Sequence, residues 1–175
     1  TGKSIWFSGE CWAYAQNTPF RLYKLFNHEV GISTPLIAHW PAGIAAKNEF
    51  RRQPGHLIDV MATVVDVSGA AYPKEFNGKA ILPMEGRSLV PAFADKPIER
   101  EAIYWEHEGN AAVRQGDLKL VRQGRNGAWE LYDLKSDRDE RQNLIDDPAR
   151  KSEIDRLSAI LLDHMKRTDD PQTEA

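Results

Sequence analysis

Four short stretches decide the fold: Ile103-Tyr104-Trp105, Ala111-Ala112-Val113, Leu118-Lys119-Leu120-Val121 and Trp129-Glu130-Leu131-Tyr132. Each is apolar and partly alternating, the pattern of a half-buried strand. Glu108-Gly109-Asn110, Gln115-Gly116-Asp117 and the stretch from Gly124 to Gly127 separate them. Turn residues at such close intervals predict an antiparallel meander. Downstream, Asp133 to Asn143 is a charged link, and Asp147-Pro148 offers an N-cap followed by proline at the first helical position. Ile154, Leu157, Leu161 and Met165 then trace one face, which predicts a helix over Asp147–Arg167 packed on the sheet. Residues 168–175 read as a frayed tail.

Upstream the pattern is less regular. Residues 69–100 carry Pro73, Pro83, Pro91 and Pro97 with scattered glycines, and read as a connector wrapping between two structural units. His56 to Ser68 reads as a helix, with Leu57, Met61, Val64 and Val65 as its stripe and Gly69 as its C-terminal cap. Pro35-Leu36-Ile37-Ala38-His39-Trp40-Pro41 is an apolar run fenced by prolines, as in a buried strand. Residues 1–34 read as loop, yet Trp6, Phe7, Trp12, Tyr14, Phe20, Tyr23 and Phe26 crowd it. Such a loop is expected to pack against something.

The 175 residues carry 41% apolar and 28% charged residues and a formal charge of −3. That is globular composition, with no global basic field for nucleic acid or anionic membrane. No apolar run approaches the roughly 20 residues a membrane span needs. One cysteine, Cys11, excludes an internal disulfide and reads as a small buried residue.

Familiar catalytic patterns are missing: no phosphate-binding Gly-Lys-Ser/Thr loop, no G-x-G-x-x-G, no G-x-S-x-G elbow, no C-x-x-C. His28-Glu29 begins like a zinc-protease helix, but Ile32 stands where the second histidine belongs. In Glu106-His107-Glu108 a strand would place the carboxylates on one face and the imidazole on the other, so the three do not jointly chelate an ion.

A set of blocks in one order is more specific. Asn17-Thr18-Pro19-Phe20-Arg21-Leu22-Tyr23-Lys24, His28-Glu29-Val30-Gly31-Ile32-Ser33-Thr34-Pro35 and His39-Trp40-Pro41-Ala42-Gly43-Ile44 come first. His56-Leu57-Ile58-Asp59, Pro83-Met84-Glu85-Gly86-Arg87-Ser88-Leu89 and Tyr104-Trp105-Glu106-His107-Glu108-Gly109-Asn110 follow. Ala112-Val113-Arg114, Lys119-Leu120-Val121 and Trp129-Glu130-Leu131-Tyr132-Asp133-Leu134 close the series. Over residues 12 to 165 the chain resembles the arylsulfatase family.

The resemblance implies the C-terminal part of an alkaline-phosphatase-like sulfatase, α+β or α/β in class. Residues 1–95 would end the catalytic domain and 96–175 would form the C-terminal subdomain, a small antiparallel sheet packed by a helix. Family members hydrolyse sulfate esters with a formylglycine made from a C/S-x-P-x-R motif and a divalent cation, usually calcium. Cys11 is followed by Trp12-Ala13-Tyr14-Ala15, and Ser33 has Pro35 but Ile37 where Arg is required. Formylglycine, calcium and its Asp-Asn ligands are therefore expected before residue 1, with no metal ligand or cofactor in this chain and no activity from it alone.

One catalytic residue carries over. Lys24 matches the family lysine that reaches the sulfate oxygens, where a fixed ammonium stabilises charge shifting during transfer. Glu106, His107 and Asn110 match a position near the pocket mouth, where they would contact the organic part of a substrate or merely form a turn. Arg21 and Arg114 are expected in structural ion pairs. Val30 departs from the family, which has glycine there, a costly change if the position needs φ > 0. Family resemblance suggests a periplasmic or secreted location. Two alternatives remain: a free-standing binding module, whose aromatic N-terminal stretch would need a partner or self-association, and hydrolysis of phosphate or phosphonate esters on the same fold.

Overall fold

The computed structural model describes residues 9–168; Trp6, Phe7 and the tail from residue 169 lie outside them. In chain order it holds α1 (Glu10–Gln16), α2 (Glu29–Ile32), α3 (Asp59–Ser68), β1 (Glu75–Phe76), β2 (Lys79–Ala80) and α4 (Val90–Phe93). Then come β3 (Ile103–His107), β4 (Asn110–Gln115), β5 (Leu118–Arg122), β6 (Trp129–Asp133) and α5 (Lys151–Arg167). Contacts group the chain up to Pro35 with the part from Ala102 onward, and Leu36–Glu101 as a second unit.

In the first unit the expected meander forms, with strand order β3-β4-β5-β6 and every pair antiparallel. His107 pairs with Asn110 across the two-residue turn Glu108-Gly109, both residues at positive φ. Glycine suits that backbone and Glu108 tolerates it at some cost. Gln115 pairs with Leu118 across Gly116-Asp117. The two faces are covered differently. Ala111, Val113, Leu120 and Leu131 meet Leu157, Leu161 and Met165 of α5, the face read from the sequence. Asp147 caps the run into α5, its Oδ1 accepting from Ala149 N at 2.9 Å through a short 3-10 turn, Pro148–Arg150. Tyr104 adds a parallel stack on His164 of α5, ring centroids 3.9 Å apart.

The opposite face carries Ala112, Val121, Tyr132 and Leu134 with Trp105 packed on them. Lys119 lies on this face too, fully buried. Phe26, Asn27, His28 and Glu29 are buried as well, and the last three bond to residues of this face. The aromatic stretch is packed only in part: Phe26 is buried, and Tyr23 meets it edge-on at 5.1 Å and the exposed Tyr14 at 5.6 Å. Trp12 and Cys11 are exposed, which corrects the reading of Cys11 as buried: α1 buries none of its residues.

In the second unit α3 ends at Gly69 in the left-handed cap expected of it. Asp59, at its first turn and fully buried, accepts from His56 N at 2.7 Å, Arg87 N at 2.8 Å and Arg100 Nη2 at 2.5 Å. Thr63 Oγ1 accepts from Leu89 N at 2.9 Å. The connector is thus laid along the helix by polar bonds and includes the β1–β2 hairpin and α4.

Two expectations fail in this unit. The stripe Leu57, Met61, Val64 is exposed rather than buried, because α3 turns Asp59 and Ala62 inward. The run from Pro35 to Pro41 is not a strand, and Leu36 and Ile37 are exposed. A strand needs a neighbour's ladder, and none pairs with it among the described residues.

Candidate active-site segment

The segment from Arg21 to Gly31 is fastened to the buried-lysine face of the sheet at five places. Arg21 Nη2 donates to Glu130 Oε2 at 2.7 Å and to Tyr132 Oη at 2.8 Å. Asn110 Nδ2 donates to Leu25 O at 3.2 Å, and Asn27 Nδ2 donates to Trp105 O at 3.3 Å. His28 Nε2 lies 3.4 Å from Glu130 Oε2. Lys119 Nζ donates to Glu29 Oε1 at 3.1 Å and pairs with Glu140 Oε1 at 2.7 Å, while Glu29 N donates to Glu140 Oε2 at 2.8 Å. Two carboxylates and one ammonium are therefore out of water together, with the Trp105 ring 6.0 Å from Nζ. Such a group holds only while each member is paired.

The glycine requirement falls at Gly31, not at residue 30. A Cβ on Gly31 would stand 1.8 Å from Phe26 O, because the segment folds back on its own backbone there. Val30 sits inside α2 without positive φ, so its β-branch is accommodated. Leu22 is the strained residue, at φ 72.

Electrostatics single out Glu130. Burial raises its carboxyl, but hydrogen bonds from His28 and Tyr132 and the charges of His28 and Arg21 outweigh that and hold it down to about 2. Burial, together with the Glu130 hydrogen bond and charge, pushes the Tyr132 hydroxyl well above its usual range.

The sequence-read candidates are placed as follows. Lys24 lies mid-segment with an exposed side chain that makes no ion pair among the described residues. Asn110 is buried: its amide donates to Leu25 O and to His107 O at 2.8 Å, and its Oδ1 accepts from Gly124 N at 3.0 Å. It thereby joins the β3–β4 hairpin to the residue beside Lys24. Glu106 and His107 are exposed at the end of β3, and Glu106 Oε1 accepts from Gly109 N at 3.2 Å. Arg21 is ion-paired as expected; Arg114 reaches Asp117 only at 4.0 Å. Sequence reading missed Glu130, Lys119 and Glu140. A lysine between Leu118 and Leu120 reads as a solvated face, and only a sheet covered on both sides reverses that. Among the described residues no three His, Cys, Asp or Glu side chains gather in a group that could hold a metal ion.

This fold and segment define a sulfatase C-terminal region. Residues 20–167 match the family described as N-sulphoglucosamine sulphohydrolase, C-terminal, and the chain belongs to that family. It is 31% identical over 150 residues to an uncharacterized sulfatase of Schizosaccharomyces pombe, covering 80% of this chain and 26% of that protein. A sulfatase of Formosa agariphila is 25% identical over 155 residues, 79% of this chain and 27% of its own length. The solved structure of a 2-O GAG sulfatase superposes with TM-score 0.51 at 28% identity, over 67% of this chain and 26% of that one. The chain spans about a quarter of the length of these relatives.

Proposed function

We propose that this chain is the C-terminal part of an arylsulfatase-like sulfuric ester hydrolase and supplies its sulfate-contacting cation, Lys24. The observation that carries the reading is the contrast within one segment. Asn27, His28 and Glu29 close to Lys24 are buried and Arg21 is ion-paired, while the exposed Lys24 ammonium makes no ion pair among the described residues. A fastened backbone presenting an exposed cation suits the monoanionic sulfuryl group of a sulfate ester. The ammonium's three donors would meet non-bridging oxygens as charge moves toward the leaving oxygen.

Residues 1–95 would close the catalytic domain and 96–175 form the subdomain beside it. Contacts group the chain up to Pro35 with the sheet rather than with residues 36–101, so in this reading the Lys24 segment is the part of the catalytic domain that the subdomain holds. Glu106 and His107 would face the organic part of the substrate, with Asn110 holding their turn. The nucleophile and the divalent cation would come from the rest of the polypeptide.

The test is hydrolysis of 4-nitrophenyl sulfate by the full-length sulfatase that carries these residues. Lys24→Ala should lower kcat/KM about 10²–10³-fold, the usual loss for one donor to developing charge, with partial recovery in Lys24→Arg. An unchanged kcat/KM would overturn the reading. So would turnover by the isolated 175-residue chain that Lys24→Ala abolishes, because the chain would then be a complete enzyme.

A further inference from the structure

We propose that Glu130 is a positioning residue for Lys24. The proposal rests on the reading that Lys24 meets the sulfuryl group, and adds how the ammonium is aimed.

A single carboxylate oxygen, Glu130 Oε2, takes Arg21 Nη2 at 2.7 Å, His28 Nε2 at 3.4 Å and the Tyr132 hydroxyl. Arg21 stands three residues before Lys24 and His28 four after it. One atom on β6 therefore fixes the segment on both sides of the lysine. Tyr132 Oη also accepts from Arg21 Nη2 at 2.8 Å, closing a triangle that leaves the guanidinium little freedom. The His28 ring depends on the same atom: its Nδ1 is buried without a hydrogen-bond partner among the described residues.

The backbone between the two fastenings is under tension. Leu22 holds φ 72, next to Arg21. A non-glycine residue in that region costs on the order of 1–3 kcal/mol and persists where its surroundings over-determine it. Without the Arg21 fastening, Lys24 is anchored among the described residues from its C-terminal side, where Asn110 holds Leu25 O, and the strained Leu22 before it is no longer pinned. A flexible side chain reaches a sulfuryl oxygen productively only from a fixed base, since misplacement by about 1 Å can cost on the order of 10²-fold in rate. Glu130 need not touch the substrate for this. It acts through Arg21 and His28.

A double-mutant cycle in the full-length sulfatase tests it, with 4-nitrophenyl sulfate as substrate. Glu130→Ala should lower kcat/KM about 10-fold or more in the parent protein, with Glu130→Gln recovering part of the loss by keeping an acceptor. In a Lys24→Ala background the same substitution should have almost no further effect. Equal losses in both backgrounds would overturn the proposal, since a role in general folding does not depend on Lys24. Should Glu130→Ala fail to fold, Tyr132→Phe removes only the hydroxyl from the triangle. It should show a smaller loss with the same dependence on Lys24, and an equal loss in both backgrounds overturns the proposal too. If Lys24→Ala alone leaves kcat/KM unchanged, the reading of Lys24 falls and this proposal falls with it. A large Lys24 effect with additive Glu130 losses sinks the positioning role alone.

Discussion

Arg21 Nη2 lies 2.7 Å from Glu130 Oε2, across 109 positions of sequence. The contact closes a long loop between the stretch that carries Lys24 and the last strand of the meander. Closing it costs chain entropy that one half-exposed ion pair does not return. The neighbouring fastenings at Asn27, His28 and Glu29 share that cost, so the segment behaves as one unit seated on the sheet rather than as a loop with a single tether.

Glu130 makes stability depend on pH in a defined window. Its folded carboxyl is held down to about 2 against an ordinary 4.5. A depressed carboxyl stabilises the fold fully above about pH 4.5, and that contribution disappears as pH falls from there toward 2. Glu130→Gln should therefore flatten the dependence of unfolding free energy on pH below 4.5, by up to about 1.4 kcal/mol per pH unit for the one proton involved. Denaturant titrations at pH 5, 4 and 3.5 measure the slope. Identical slopes for parent and variant would rule the linkage out.

Lys119 should be the costliest single polar residue to remove from the first unit. Lys119→Met leaves Glu29 and Glu140 buried without a cation, for which about 3–5 kcal/mol is typical. Changing the carboxylates as well, as Glu29→Gln and Glu140→Gln, removes the uncompensated charge while keeping an acceptor for Glu29 N. The triple variant is expected to unfold at higher denaturant than Lys119→Met alone. The reverse order would mean that the ammonium's packing, not its charge, holds the site.

Much of this was legible in the sequence where one local rule decides the outcome. The meander followed from Gly109, Gly116 and the alternating apolar stretches, and α5 from Asp147-Pro148 and the Leu157, Leu161, Met165 face. Lys24 and Asn110 were both singled out, and the fold brings the asparagine to the carbonyl next to the lysine. What stayed hidden is what depends on non-local cover. Lys119 reads as a surface residue until Phe26 to Glu29 are buried over its face. The Leu57 stripe reads as core because periodicity reports amphipathicity and not which side is inward. Glu130 stands in one of the family-like blocks but nothing there marks it for a role, since a glutamate in an alternating strand is ordinary until its three partners are known.

Residues 30 and 31 should respond in opposite ways. Val30→Gly restores the residue the family has, at a position without positive φ, and is expected to cost about 1 kcal/mol or less, the helix-propensity difference. Gly31→Ala forces a methyl to within 1.8 Å of Phe26 O, a backbone atom that cannot swing aside. A loss of about 1–3 kcal/mol or more is expected for such overpacking. Thermal unfolding midpoints of the two variants decide it, and a Gly31→Ala variant as stable as the parent would show that the segment does not fold back as described.

The apolar face of α3 makes the last prediction, one whose sign changes with context. Leu57, Val60, Met61, Val64 and Val67 recur at helical spacing and are all exposed, while α3 buries only Asp59 and Ala62. Contiguous apolar surface of this kind favours association. The isolated 175-residue chain is expected to self-associate at micromolar concentrations in sedimentation velocity. Met61→Lys with Val64→Glu should shift it toward monomer while leaving far-UV circular dichroism unchanged. In the full-length sulfatase, where the rest of the polypeptide would cover this face, the same pair must bury two charges and should cost several kcal/mol. A substitution that improves the piece and damages the whole marks an internal face. If the pair proves harmless in both, α3 faces solvent in the whole protein and its stripe has another cause.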